Sequence, residues 1–141
     1  MTSETLSIIG TITGIVGMLT GIGSLIISVL NHQRARFLAV HEYLSAVESK
    51  EFIESKKYVY NTSHFDNDDK KAALVVNFFH HWGMLAKRKY LPLWVFDGAT
   101  GKGACRLYER VLPYIEARRK HNGDPSYAEY YVWLYKKIKD K

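Results

Sequence analysis

The amino-acid sequence predicts an all-α protein: one N-terminal transmembrane helix followed by a small helical bundle. Three observations predict it. From Thr5 to Asn31 there is no Asp, Glu, Lys, Arg or His. Beyond Asn31, apolar residues recur at three- and four-residue spacing over helix-length stretches. Those stretches are punctuated by Pro, Gly and short polar caps, and no convincing pair of alternating strands or internal repeat interrupts them.

The first element is the uncharged run Leu6 to Leu30. As an α-helix it would be roughly 37 Å long, enough to cross a hydrocarbon core of about 30 Å with some tilt. A cleaved signal peptide would need a basic leader and a shorter apolar core. Here the leader is Met-Thr-Ser-Glu, without a base. A buried helix of a soluble protein would be shorter. Arg34 and Arg36 stand just past the run, and bases at that end hold it in the cytoplasm. The expected organisation is therefore residues 1–33 as a transmembrane anchor with a short external tail, and residues 34–141 as a cytoplasmic helical domain. That places the chain in the cell inner membrane as a single-pass protein.

Small residues form a seam on this helix: Ser3, Ser7, Gly10, Gly14, Gly17, Gly21, Ser24 and Ser28. The spacing alternates four and three without a break, a heptad pattern. Ile8, Ile12, Ile15, Leu19, Ile22 and Ile26 occupy the other side and suit lipid. Lipid tails are as apolar as leucine, so helices associate in a bilayer by close backbone approach, which small residues permit. Gly10, Gly14, Gly17, Gly21, Ser24 and Ser28 are accordingly the expected self-association residues. The competing reading is that Gly and Ser are simply common in membrane helices.

The remaining elements follow in order. With no Pro or Gly from Ser24 to Tyr60, the first helix should continue through Arg34–Ser49, with Phe37, Val40, His41, Leu44 and Val47 on one face. A second helix is expected over Glu51–Tyr60, then a polar loop that ends in good N-cap residues. The central helix is expected over Asp69–Lys89, with Leu74, Phe78, Trp82 and Leu85 as its buried stripe, until Pro92 stops it. Leu93–Phe96 is a short link. A long helix from about Gly101 to His121 should bury Ala104, Leu107, Tyr108, Val111, Leu112 and Ile115, bend at Pro113 and stop at Gly123. Asp124-Pro125 reads as cap and first residue of a last helix to Lys139, with Tyr127, Tyr131, Leu134 and Ile138 inward.

Few residues offer chemistry. Asp97-Gly-Ala-Thr-Gly-Lys-Gly looks like a phosphate loop but has Phe96 and Gly103 where the motif needs Gly and a hydroxyl residue, so a helix-opening turn is expected. His80 and His81 point about 100° apart on a helix and make poor co-ligands; half-buried polar positions are expected for both. Cys105 is the single cysteine, which excludes an internal disulfide, and it has no paired His nearby in sequence. No metal-ligand spacing occurs. We expect no catalytic, cofactor or metal residues, and no enzyme.

The charge is lopsided. All 20 Lys and Arg and 13 of the 14 acids lie beyond Asn31, giving that part a net charge of +7. Bases cluster at Lys87-Arg88-Lys89, at Arg118-Arg119-Lys120 and around Lys136-Lys137. An anionic membrane surface attracts such clusters. Nucleic acid is the alternative taker, with Trp82, Tyr90 and Trp94 as stacking partners, but these aromatics sit at core spacing and no nucleic-acid fold signature is present.

Val76-Asn-Phe-Phe, Gly83-Met-Leu-Ala, Lys89-Tyr-Leu-Pro and Leu112-Pro-Tyr-Ile-Glu-Ala-Arg-Arg resemble an uncharacterised bacterial family of short single-pass membrane proteins with a cytoplasmic all-helical domain of unknown function. The resemblance is clearest over residues 70–135. It implies the fold, and it implies no activity. Where the family often has an acid after its Asn-aromatic motif, this chain has His80. The functional expectation is an interaction module: partnered by the lipid bilayer, homo-oligomeric through its seam, and engaging an unidentified cytoplasmic protein. A membrane-perturbing effector that oligomerises in the bilayer is the alternative.

Overall fold

The computed structural model describes residues 2–141. Among them are five α-helices, one short 3-10 turn and no strand, so the chain is all-α. It divides into two compact units, Met1–Phe37 and Leu38–Lys141.

The first helix, α1, spans Ser3–Val47, and no proline interrupts it. The hydroxyls of Thr11, Thr13, Thr20 and Ser24 each donate to the carbonyl oxygen four residues back, at 3.0, 2.8, 2.8 and 2.9 Å. The helix thereby satisfies these polar side chains without water or a second element.

The second unit begins with the last turns of α1. Tyr43 is its one buried residue there, and Ala39, Val40, Ala46 and Val47 pack beside it. This face differs from the expected one. Phe37 and Leu44 are exposed and His41 faces out, because the side chain that reaches the core is the ring of Tyr43. That ring meets Trp82 and Phe96 edge-on, at centroid distances of 5.3 and 5.2 Å.

Helix α2, Lys50–Asn61, is capped by Ser49, whose Oγ accepts from the Phe52 amide at 3.3 Å. It buries Phe52, Ser55 and Val59, and Phe52 stacks on Phe78 at 3.9 Å. Helix α3, Lys70–Lys87, opens at Asp69 as the loop composition suggests. One carboxylate oxygen of Asp69 accepts from the amides of Lys71 and Ala72, and the other accepts from the Tyr58 hydroxyl at 2.6 Å. One acid thus caps α3 and ties it to α2.

Helix α3 packs against α2, α4 and α5. Its buried residues are Ala72, Val75, Val76, Phe79, Trp82, Gly83 and Ala86. The expected stripe is therefore displaced around the helix: Trp82 is buried, while Leu74, Phe78 and Leu85 are partly buried. Phe79 and Trp82 fill the centre of this face beside small residues, and Gly83 marks a close approach. A methyl group on Gly83 would strike the Tyr130 backbone carbonyl of α5.

A 3-10 turn, Leu93–Phe96, leads to α4, Ala99–Asn122. Gly98, with φ 65°, stands at the start of α4 and Gly123, with φ 65°, at its end, and α4 continues on both sides of Pro113. Ala104, Leu107, Tyr108, Val111 and Ile115 are buried as expected, Leu112 is half-buried, and Gly101, Cys105 and Tyr114 join the core.

Helix α5 is shorter than its sequence suggests, Glu129–Lys139 rather than from Pro125. Asp124 closes a local turn, accepting from the Ser126 amide and hydroxyl at 2.9 and 2.6 Å. The Arg119 guanidinium occupies the Tyr127 carbonyl with two hydrogen bonds, at 2.9 and 2.7 Å. Ala128 takes the left-handed conformation, φ 63°, and the Tyr131 amide bonds the Ala128 carbonyl instead of Tyr127. The helix therefore starts after the strained residue. Tyr131 and Leu134 are buried on it, and Tyr127 and Ile138 are half-buried.

Candidate functional site

Gly10, Gly14, Gly17, Gly21, Ser24 and Ser28 all lie on α1 and all are exposed. At 100° per residue they fall within an arc of about 80° on one side of the helix. A Cβ added at any of those four glycines would meet nothing within 4 Å. In the second unit, Gly83 and Gly101 are crowded by the backbone of a neighbouring element. The chain itself therefore supplies a packing reason for those two glycines and none for the seam. The opposite side, including Ile8, Ile12, Ile15, Leu19, Ile22 and Ile26, is equally uncovered. α1 is the one described helix long and apolar enough to cross a membrane, and none of its most apolar stretch is buried. Arg34 and Arg36 are exposed on the same helix and make no ion pair among the described residues.

Among the recesses of the second unit, three have linings that bear on function. An open groove of about 540 Å³ is lined by Phe52, Leu74 and Phe78 with Glu51, Lys70 and Asn77 at its edges. A second, of about 460 Å³, holds Cys105 beside Lys102, Arg106, Glu109, Ile138 and Lys139. Cys105 is buried, and burial pushes its thiol pKa up, which suppresses the thiolate. Of the cations in this recess, Lys139 is engaged: it holds Glu109 at 2.9 Å, and Tyr135 donates to the same carboxylate at 2.8 Å. These two bonds hold the Glu109 carboxyl below its ordinary range.

The third recess, about 230 Å³, places His80 with Asn77, Asp124, Ser126 and Glu129. His80 is half-buried as expected, but His81 is exposed. Burial lowers the His80 pKa, with Glu129 opposing, and its Nδ1 is buried without a hydrogen-bond partner. No group of three His, Cys, Asp or Glu side chains converges among the described residues.

The basic clusters are not equivalent. Arg118 donates to the Asn67 carbonyl at 3.0 Å and Arg119 to Tyr127, so both pin loops. Lys141 reaches the Leu93 carbonyl at 3.2 Å and the carboxylate of Asp97. Arg88 and Lys89 are exposed and make no ion pair among the described residues. The aromatics also part company. Trp82 is 6% exposed, but Tyr90 is 47% and Trp94 61% exposed, so core spacing does not describe those two. The reason is local: Tyr90 follows the end of α3, and a 3-10 turn of three residues per turn throws Trp94 outward while it buries Val95 and Phe96.

A family model described as Domain of unknown function (DUF4760) matches residues 1–138. The chain belongs to that family. No curated protein and no solved structure matches it. The DUF4760 match takes in α1 as well as the second unit, so the apolar helix is part of the family's pattern and not an appendage to it. The resemblance read from the sequence thus holds at the level of an uncharacterised helical domain. DUF4760 carries no activity that would assign a role to Cys105, His80 or the groove.

Proposed function

We propose that this DUF4760 chain is a single-pass module of the cell inner membrane that self-associates through the Gly/Ser seam of α1 and presents its helical domain to a cytoplasmic partner protein. The observation that carries the reading is the contrast among the glycines. Gly83 and Gly101 are packed tightly within the chain, whereas Gly10, Gly14, Gly17 and Gly21 face open space along one seam; Gly23 and Gly103 are as open, but each stands singly and off that seam. Glycine weakens a helix, so four of them on one side need an offsetting contact. In a bilayer that contact is a second helix approaching closely, stabilised by dispersion and weak Cα–H···O bonds. The four internally bonded hydroxyls support the same placement, because hydrocarbon offers them no other partner. Arg34 and Arg36 favour a cytoplasmic second unit. The absence of charge between Thr5 and Asn31 argues against a selective ion path.

Gly14→Ile with Gly17→Ile tests the reading. The pair raises hydrophobicity, so insertion survives, but it blocks backbone approach. Ile15→Leu with Ile22→Leu alters the other side and spares the seam. In a membrane-helix dimerisation assay the first pair should abolish self-association and the second should not. Equal association in both would reduce the seam to composition. Depolarisation of cells on overexpression, lost with the first pair, would favour the membrane-perturbing effector over the module.

A further inference from the structure

Outside α1, Tyr90 and Trp94 are the only large apolar side chains with high exposure among the described residues. They project from a segment that is otherwise held inward. Leu91 is 1% exposed, Pro92 is buried, and Val95 and Phe96 are 7% and 2% exposed. The turn that presents Tyr90 is fixed by Lys89 at φ 65° and by the Tyr90 and Leu91 amides, which both donate to the Leu85 carbonyl at 2.9 and 3.2 Å. Lys141 braces the following turn through the Leu93 carbonyl and engages the Asp97 carboxylate. Directly before the two aromatics come Lys87, Arg88 and Lys89, all exposed, Lys87 with its ammonium 5.3 Å from the Tyr130 ring centroid. Two amphipathic rings and three bases thus share a rigid segment of eight residues.

We propose that Tyr90 and Trp94 with Lys87, Arg88 and Lys89 form a contact for an anionic lipid bilayer. Tyr and Trp favour the boundary between hydrocarbon and water, where the ring body is apolar and the polar tip stays wet. Adjacent bases pair with lipid phosphate and anionic headgroups. The charge is complementary, since the chain beyond Asn31 carries a net +7. The contact rests on the reading that α1 enters a bilayer. In that case the surface is always at hand, and attachment is an intramolecular step at high effective concentration. Single-stranded nucleic acid fits less well. It needs aromatics spaced along a basic groove, and the nearby cluster Arg118-Arg119 is bonded to loop carbonyls instead.

The full chain, reconstituted in phosphatidylcholine vesicles with brominated acyl chains, tests this with and without phosphatidylglycerol. Flotation at high salt first reads whether α1 anchors the chain. Loss of flotation there overturns the anchor, and with it this contact as a tethered one. Tryptophan quenching then reads the contact, and the share of Trp94 is the difference between the parent and Trp94→Phe. In anionic vesicles the Trp94 share should be quenched. Lys87→Gln, Arg88→Gln and Lys89→Gln should each lower the attached-to-detached ratio about fivefold. Flotation with no Trp94 quenching, or with quenching indifferent to phosphatidylglycerol, overturns the contact and leaves the anchor standing. Trp94 quenching by a single-stranded oligonucleotide in detergent, without any lipid effect, would overturn it in favour of nucleic acid.

Discussion

A single methyl group separates two kinds of glycine in α4. At Gly101 it would collide with the Phe96 carbonyl and press on Ile138, so only hydrogen lets α4 open against the preceding turn and α5. At Gly103 it would meet nothing within 4 Å. Gly101→Ala should therefore lower stability by about 1–3 kcal/mol through overpacking. Gly103→Ala should raise it by about 0.5–1 kcal/mol through helix propensity. Urea unfolding of the detergent-solubilised chain, followed by circular dichroism, reads both, and the opposite order would contradict the α4–α5 packing. The tyrosines predict an alkaline limit. Burial raises the phenol pKa of Tyr43, Tyr108, Tyr127 and Tyr131 above the ordinary value of about 10. A raised folded pKa means stability that is intact below the unfolded value and lost as pH climbs beyond it. The fold should hold through neutral pH and weaken above about pH 10. Phenolate absorbance of these four should appear with the loss of helix and not before it.

At the scale of elements, ends were more legible than faces. Asp69 as a cap and Gly123 as a left-handed terminator follow from single-residue chemistry, and each acts where its type demands. Pro92 is not what stops α3: the helix ends at Lys87, and Lys89 turns left-handed while the Tyr90 and Leu91 amides both bond the Leu85 carbonyl. Faces depend on what packs from outside. Tyr43 lies off the periodic face read from Phe37, Val40, His41, Leu44 and Val47, and is buried because Trp82 and Phe96 reach it; Leu44, the more apolar neighbour, is left exposed. The start of α5 was illegible for a related reason. Asp124-Pro125 is a sound helix signal, but Arg119 from α4 captures the Tyr127 carbonyl that a longer α5 would use. Of the candidate site, the seam and the two flanking bases were readable, being properties of one helix. The outward turn of Tyr90 and Trp94 was not, since it depends on Leu91, Pro92, Val95 and Phe96 finding a core. Arg119→Lys should cost about 1.5–3 kcal/mol, because an ammonium cannot reproduce the two-pronged hold on one carbonyl. Amide exchange at Ala128 and Tyr131 should accelerate with it. Unchanged exchange would show that the turn holds itself.

The chain as a whole divides between Phe37 and Leu38, a few residues beyond the boundary that charge alone suggested. The division makes a prediction about where the second unit can be cut. A chain beginning at Leu38 keeps Tyr43, whose ring sits among Phe78, Trp82 and Phe96, and keeps Ala46 and Val47 on the core. It should fold alone as a helical domain with a cooperative urea transition. A chain beginning at Ser49 keeps α2 to α5 and the Ser49 cap, yet strips Tyr43 from its three aromatic neighbours. The loss resembles removal of a buried aromatic side chain, about 3–5 kcal/mol, a large part of the stability of so small a core. That chain should bind the dye ANS and unfold at far lower urea, with helix content lost in proportion. Tyr43→Ala in the longer chain separates the side chain from the helix that carries it. If that substitution reproduces most of the cost of the deeper cut, the last turns of α1 belong to the domain through one ring. If the two chains prove equally stable, those turns only lead into the domain, and the unit begins at α2.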